Sequence, residues 1–211
     1  MNAGLIQQIL KLEFSMFQKV HNRGGRASCQ DDLTTFQIMR SSQFSAWSME
    51  LLQSYLQDLA TAERSGQNLV ALKYAWMMED TFPLEFDEIR ETLPPLSLIA
   101  QSTIREILSL QMPMTESLFC KYPNACARSR SLRPVAAHPH IASIQTYLRG
   151  ELCTYSERTL FLYLRNLQML ATMGQNLAEL ILESTAKQYG YPSLLALESS
   201  LASGNQSPLP T

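Results

Sequence analysis

The chain has 211 residues, of which 45 % are apolar and 17 % charged, and its formal net charge is −2. This composition excludes an intrinsically disordered protein, and the weak negative charge argues against bulk nucleic-acid binding. No apolar run reaches the ~18 residues that a membrane-spanning helix needs, so no membrane association is predicted.

The first segment, MNAGLIQQILKLE, carries Lys11 and Glu13 within its apolar pattern and lacks the basic start of a signal peptide. The four cysteines stand at irregular spacing, which does not resemble a disulfide framework. Both features predict a cytoplasmic protein with reduced thiols.

The hydrophobic pattern is helical along most of the chain, which predicts an all-α fold. A long N-terminal helix is expected over residues 3–20 and a second over 31–44. A third helix follows and ends at Gly66, after which Asn68 caps a helix that runs to about Asp80.

Three proline sites are predicted to break the middle of the chain: Pro83, Pro94–Pro95 and Pro113. Residues 119–140 show no clear period, and helical patterns resume at His140 and continue to about Leu201. The polar tail 203–211 is predicted to be flexible, so we expect one all-α domain over residues 1–202.

An internal repeat is visible at an offset of 108 residues. YLQDLATAERSGQNL at 55–69 matches YLRNLQMLATMGQNL at 163–177, and eleven of the forty positions from Gln37 to Trp76 are identical to their counterparts. The repeat predicts two three-helix units, about 31–83 and 139–191, in a single globular bundle. The N-terminal helix is expected to pack across both units.

The stretch GGRASCQDD at 24–32 has no counterpart in the second unit, where the chain reads LRPVAAHPH. Gly24 and Gly25 allow a positive φ and the close approach of a ligand, or they simply end the first helix. Ser28 is a good N-cap, and Asp31 completes a variant capping box, which makes Cys29 the first helical residue.

A cysteine at a helix start is biased towards thiolate, and Arg23 and Arg26 would add positive charge nearby. Asp31 and Asp32 would disfavour the thiolate, hold Arg26, or receive a cationic substrate group. His21 is one loop away and is a candidate base. The alternative is that Cys29 is a small buried residue that only packs.

A second candidate site is the locally basic segment with Arg128, Arg130 and Arg133, which suits a phosphate or carboxylate group or else is solvated loop charge. Cysteines and histidines also occur near this segment, but their spacings are not those of structural zinc sites, so no metal and no cofactor is predicted. Arg149 and Glu151 are interpreted as surface and interhelix pairs.

The runs GGRASCQDD, TYLRGELCTYS and KQYGYPSL together resemble a microbial family of about 200 residues known only as a domain of unknown function, number four-one-two-five. The resemblance covers nearly the whole chain. It implies a single-domain protein but no activity. A looser similarity, carried by no motif, is to tRNA-dependent cyclodipeptide synthases that use arginine.

Two functions from different classes follow. The first is a cysteine-dependent acyl or aminoacyl transferase, in which Cys29 is the nucleophile, Asp31 or Asp32 orients a basic substrate group, and the arginines of the basic segment hold an anionic carrier. Its substrate would be a small molecule or an acyl carrier, with tRNA as one candidate. The second is a non-catalytic helical module that binds a small anionic ligand or a protein partner. A homodimer is compatible with both.

Overall fold

The computed structural model describes residues 2–21 and 25–204, apart from the side chain of Cys29. All regular secondary structure in this part is helical, which confirms the all-α prediction. Two 3₁₀ helices are present, Ser28–Asp31 and Arg90–Thr92. The α-helices are α1 Asn2–Gln18, α2 Leu33–Ser45, α3 Met49–Arg64, α4 Leu69–Thr81, α5 Pro83–Ile89, α6 Leu98–Lys121, α7 Pro123–Cys126, α8 Ile144–Leu152, α9 Glu157–Thr172, α10 Leu177–Gln188 and α11 Leu194–Ala202.

The two GQNL sequences form the same local structure. Gly66 and Gly174 have φ values of 72° and 67°, the left-handed conformation that ends α3 and α9. Asn68 and Asn176 then cap α4 and α10 with their side-chain oxygens, as predicted for Asn68. The amide nitrogen of each asparagine also donates to a carbonyl of a third helix at 2.8 Å, in α1 for Asn68 and in α6 for Asn176.

Helices α3 and α9 lie against each other at the centre of the bundle, joined by two reciprocal hydrogen bonds. The backbone N–H of Ser48 donates to Asn166 Oδ1, and that of Ser156 donates to Asp58 Oδ2, each at 3.0 Å. The neighbours are also reciprocal, since α1 packs on α3 and α6 on α9, while α4 contacts α8 and α10 contacts α2.

A cluster of aromatic rings fills the space between α3, α9 and the ends of α2 and α8. Trp47 makes edge contacts with Tyr55, Tyr155 and Tyr163 at centroid distances of 5.6, 6.2 and 5.4 Å, and with Phe44 at 5.0 Å. All five side chains are at most 5 % exposed.

Two expectations about the helices need correction. Pro113 was predicted to break the chain but lies inside α6, which at 24 residues is longer than the 17-residue α1. The helix continues through the proline because Met112 and Thr115 on either side of it are buried, and their packing outweighs one lost backbone hydrogen bond. Packing of α1 across both units is not confirmed, because its main helical neighbours are α2, α3 and α4.

The C-terminal part of the bundle has a smaller core of its own, where α7 and α11 pack together beside α10 and the end of α6. The carboxylate of Glu198 accepts the backbone N–H groups of Asn124 and Ala125, which fixes α7 against α11. Of the predicted tail, only Ser203 and Gly204 are among the described residues. None of the described helices combines the length and hydrophobicity that crossing a bilayer requires.

Helices α4 and α8 are in close contact at Gly150. A Cβ atom built on Gly150 would lie 2.5 Å from Met77 Cγ and 2.9 Å from the Lys73 carbonyl oxygen. The side chain of Met77 can move aside, but the backbone of α4 cannot do so without the helices separating. The contact therefore sets the position of Lys73.

We expect Gly150→Ala to lower the free energy of unfolding by about 1–3 kcal/mol, although alanine is the better helix former. Urea denaturation followed by circular dichroism measures the change. The matched control is Gly4→Ala in α1, where a new Cβ meets nothing within 4 Å. That control should be neutral or raise the stability by up to about 1 kcal/mol, and a Gly150→Ala protein as stable as Gly4→Ala would contradict the close packing.

Candidate functional site

Residues 25–32 of the GGRASCQDD stretch fold as a turn followed by the 3₁₀ helix Ser28–Asp31, and α2 begins only at Leu33. The predicted Ser28 cap is wrong, because Asp32 caps α2 by accepting the backbone N–H of Thr35 at 2.9 Å. That hydrogen bond lowers the pKa of Asp32. Gly25 has a φ of 88°, as expected for a glycine in this turn.

Gln30 fastens this stretch to the end of α1. Its side chain is buried, and its amide nitrogen donates to the carbonyl groups of Phe17 at 2.8 Å and Val20 at 3.0 Å. Its amide oxygen accepts the N–H of Ala27 at 2.9 Å. The turn is therefore held by hydrogen bonds to α1 and to itself.

Asp31 faces Arg26, one of the alternatives considered for the acidic pair. Arg26 Nε and Nη2 donate to Asp31 Oδ1 at 2.9 and 2.8 Å, and Arg26 Nη1 donates to the Gln18 carbonyl at 3.3 Å. His21 is exposed. Arg23 and Gly24 lie outside the described residues, as does the Cys29 side chain, so the catalytic roles proposed for this stretch stay predictions.

The basic segment lies in the connection between α7 and α8, and two of its arginines contact α6 and α8. Arg133 pairs with Glu116 at 2.5 Å and donates to Gln145, whereas the guanidinium of Arg130 covers the ring of Tyr147 at 4.6 Å. Arg128 is exposed. All the partners of Arg130 and Arg133 belong to α6, α8 or the segment leading into α8, so these contacts do not bring the arginines to the GGRASCQDD turn.

The cysteines and histidines of the 119–140 segment are dispersed. Cys126 is buried, which raises the pKa of its thiol to about 11, and Cys120 is exposed. His140 stacks on Phe82 and its Nδ1 lies 2.8 Å from the Thr81 carbonyl oxygen. Within residues 2–21 and 25–204, no group of three or more His, Cys, Asp and Glu side chains is arranged to hold a metal ion.

Four charged side chains from four helices meet inside the bundle, and we call them the charged cluster: Glu13 of α1, Arg40 of α2, Lys73 of α4 and Glu151 of α8. Their side chains are 3, 15, 17 and 12 % exposed in that order. Two acids and two bases make the cluster neutral overall. Its members come from both halves of the chain.

Arg40 is the centre of the charged cluster because it bridges both carboxylates. Its Nε and Nη2 donate to the two oxygens of Glu13 at 2.8 and 2.5 Å, a bidentate pair. Its Nη2 also donates to Glu151 Oε1 at 3.0 Å, and its Nη1 donates to Gln43 Oε1 at 2.6 Å. One guanidinium thus ties α2 to α1 and α8.

Each carboxylate has further neutral donors. The hydroxyl of Tyr55 donates to Glu13 Oε1 at 2.5 Å. Glu151 Oε1 accepts from the Tyr155 hydroxyl at 2.7 Å and from Gln43 Nε2 at 3.1 Å. Both buried carboxylates are therefore stabilised by hydrogen bonds as well as by charge.

The charges control the pKa values in the cluster. Burial alone would raise the pKa of Glu151, but the positive charges of Arg40 and Lys73 hold it well below its usual range. Burial would lower the pKa of Arg40, but the two carboxylates outweigh that effect and raise it. For Tyr55, burial and the negative charge of Glu13 both raise the pKa of the phenol. Glu151 and Arg40 therefore stay ionised and Tyr55 stays protonated at neutral pH.

A cavity of about 160 Å³ opens beside the charged cluster, and we call it the lysine cavity. All four charged side chains contribute to its wall. Phe17 and Phe36, whose rings stack at 5.6 Å, form a flat apolar side. The remaining lining residues are Tyr55, Leu69, Val70, Tyr74 and Thr154.

The lysine cavity and the GGRASCQDD turn are neighbours, although no described side chain of 25–28 or 30–32 lines the cavity. Phe17 connects them, because its carbonyl accepts from Gln30 and its ring lines the cavity. The sequence motifs predict a site on the turn but not the charged cluster behind it.

Two of the missed residues had a usable sequence signal. Glu13 lies three residues after Leu10 and three before Met16, on the apolar stripe of α1, and a carboxylate there has to be buried. Glu151 forms interhelix pairs with Arg40 and Lys73, as the interhelix part of its interpretation predicts, but these pairs are buried and do not lie on the surface. Arg149 does form an interhelix pair, with Glu79.

The lowered pKa of Glu151 predicts an acid-sensitive contribution to stability. The contribution is complete above the pKa of an unfolded glutamate, about 4.3, and is lost as the pH falls towards the lower folded value. We expect the unfolding free energy of the wild type to fall below about pH 4.3 by up to about 1.4 kcal/mol per pH unit from this group.

Urea titrations between pH 3 and 7 measure this dependence. Glu151→Gln should be less stable at pH 7 but should lose less stability between pH 5 and 3. The control Glu116→Gln removes an exposed carboxylate paired with Arg133 and should keep nearly the wild-type slope. Equal slopes for all three proteins would be inconsistent with an ionised, stabilising Glu151.

One family model matches residues 3–199 of the chain, and its description is "Protein of unknown function (DUF4125)". The match includes the GGRASCQDD stretch and every residue of the charged cluster. It confirms the family expected from the sequence motifs. No curated protein and no solved structure was found to match the chain.

Proposed function

The chain belongs to this family of proteins of unknown function, and we propose that it is a non-catalytic helical module that binds a small organic anion in the lysine cavity. The observation that carries the proposal is the state of Lys73. Lys73 lines the cavity, and its ammonium group makes one hydrogen bond among the described residues, a 3.3 Å contact with Glu151 Oε2.

Lys73 is the least committed charge of the cluster. Glu151 Oε1 accepts from Arg40, Gln43 and Tyr155. Its Oε2, which Lys73 contacts, also accepts from Arg40 Nη1 at 3.3 Å, so both oxygens keep a donor when Lys73 turns to a ligand. The Lys73 ammonium also lies 5.0 Å from the centre of the Tyr147 ring. An anion entering the cavity would gain a charge-assisted hydrogen bond from Lys73 without leaving a carboxylate unpaired.

The opposite half of the chain supports the view that the fold does not need these charges. We propose that the halves are copies related by duplication, a view supported by the offset of 108 between α3 and α9 and by the reciprocal hydrogen bonds of Ser48 and Ser156. In the second copy Tyr163 donates to the neutral Gln111, as Tyr55 donates to Glu13 in the first.

Three positions of the charged cluster have uncharged counterparts at the same offset: Leu148 for Arg40, Ile181 for Lys73 and Gln43 for Glu151. A buried ion cluster is no more stabilising than well-packed apolar residues of similar volume. At these three positions the charge is therefore present at one of the two related places in the bundle and absent from the other, which supports a role in binding.

The shape of the cavity selects the ligand class. One available ammonium group matches one negative charge, and the stacked rings of Phe17 and Phe36 match a flat apolar body. The volume of about 160 Å³ suits a molecule of single-ring size. Benzoate, a carboxylate on one aromatic ring, is a suitable probe.

We expect isothermal titration calorimetry to show benzoate binding to the wild type and at least about tenfold weaker binding to Lys73→Met, since a charge-assisted hydrogen bond is lost. The matched control is Lys187→Met, which removes an exposed lysine paired with Glu183. It should bind benzoate as the wild type does. Benzyl alcohol, which lacks the charge, should bind weakly to all three proteins.

Two results would overturn the proposed function: benzoate binding that Lys73→Met leaves unchanged, or no benzoate binding by the wild type. Circular dichroism checks that Lys73→Met is folded. If that variant unfolds, Lys73→Gln, which keeps a hydrogen-bond donor of similar length without the charge, replaces it under the same criteria.

Acyl or aminoacyl transfer by Cys29 is the second candidate. Two contacts support it. Gln30 holds the GGRASCQDD turn against the end of α1, and the Asp31 carboxylate points at Arg26 and accepts a hydrogen bond from it. A substrate in the lysine cavity would lie on the far side of Phe17 from this turn. The acyl carrier and the tRNA belong to this proposal as expectations, whereas the homodimer and the cytoplasmic location are expected for either function.

For the transferase, we expect iodoacetamide labelling of Cys29, followed by mass spectrometry, to have a midpoint below the pH ~8.5 of a free thiol. Cys120, which is exposed, is the internal reference, and Cys126 and Cys153, whose pKa values burial raises to about 11, should stay unlabelled at pH 8. A Cys29 midpoint at or above that of Cys120 would remove the nucleophile and leave the binding module.

A further inference from the structure

A larger cavity of about 420 Å³ lies on another side of the bundle, between α4, α5, α6 and α8, and we call it the arginine cavity. It shares no lining residue with the lysine cavity. Three arginines stand in its wall: Arg90 after α5, Arg105 on α6 and Arg149 on α8. The only acidic lining residue is Glu79, so its charged groups sum to +2 in a chain whose net charge is −2.

Two of these guanidinium groups are available to a ligand. Arg105 is exposed and makes no hydrogen bond or ion pair with another described residue. Arg90 pairs with Asp87 at 2.9 Å, but both side chains are more than half exposed, and such a pair within one turn holds weakly. Arg149 differs, because Glu79 fixes it at the cavity wall.

The base of the arginine cavity is apolar. Trp76, Phe86 and Ile104 are 8, 1 and 4 % exposed, and the two rings lie 5.9 Å apart. Arg90 also covers Phe86, with its guanidinium carbon 5.3 Å from the ring centre. A volume of several hundred Å³ with an apolar base and few charged groups is typical of small-molecule sites.

We infer that the arginine cavity is a second binding site, for a dianionic organic molecule with an apolar body. A phosphate monoester fits this description, because the planar donors of arginine match phosphate oxygens and a charge of −2 balances the site. The apolar group would lie over Trp76 and Phe86, with the phosphate between Arg90 and Arg105. This site is independent of the ligand proposed for the lysine cavity.

The test is calorimetric titration of the full-length protein with phenyl phosphate at pH 8. Two ligand controls separate the contributions, since phenol has the ring without the charge and inorganic phosphate has the charge without the ring. The variants are Arg105→Met and the double variant Arg90→Met/Arg105→Met, which alter exposed side chains and should fold normally. Arg64→Met, at the exposed end of α3, is the matched control.

We expect phenyl phosphate to bind the wild type and Arg64→Met equally and more tightly than either partial ligand. The double variant should bind it at least about tenfold more weakly, with Arg105→Met intermediate. The inference is overturned if the wild type does not bind phenyl phosphate, if inorganic phosphate binds as tightly, or if the double variant keeps the wild-type affinity. Benzoate binding by the double variant should be unchanged, so this test and that of the lysine cavity can fail separately.

Discussion

The bridging of Glu13 and Glu151 by Arg40 is the interaction on which the arrangement of the site depends. A single guanidinium donates to both carboxylates and thereby joins α1 and α8, which lie in opposite halves of the chain, to α2. Removing any one member would leave an unbalanced charge inside the bundle. In comparable buried pairs, removal of one partner lowers the free energy of unfolding by about 3–5 kcal/mol. The cluster therefore lines the cavity with charged groups that are paired with one another.

Lys73 differs from the other three charges of the cluster in how few hydrogen bonds it makes. Arg40 satisfies both carboxylates, and Tyr55, Tyr155 and Gln43 complete their hydrogen bonds. The close contact between α4 and Gly150 holds the backbone of Lys73 at the edge of the cavity while its ammonium makes one long hydrogen bond. The same contacts that stabilise the fold thus leave one positive charge available for a ligand.

Much of the fold was predictable because its signals are local. The Asn68 cap, the Gly66 terminus and the helical periodicity each depend on neighbouring residues, and each was found. The predicted start of α2 was wrong because Ser28 and Asp32 are both good N-caps. Asp32 is the cap in the structure because Ser28–Asp31 forms a 3₁₀ helix, which Gln30 holds against α1. The charged cluster was missed because its members are up to 138 residues apart, from Glu13 to Glu151, and only tertiary packing brings them together.

The central claim is that the charged cluster serves binding and not folding, and replacing it with the uncharged residues of the other half tests this most directly. The variant carries four substitutions: Glu13→Gln, Arg40→Leu, Lys73→Ile and Glu151→Gln. The measurement is its free energy of unfolding in urea, together with benzoate titration. The account predicts a folded protein at least as stable as the wild type, by up to about 4 kcal/mol, that no longer binds benzoate. A variant that is unfolded, or that is several kcal/mol less stable than the wild type, would contradict it.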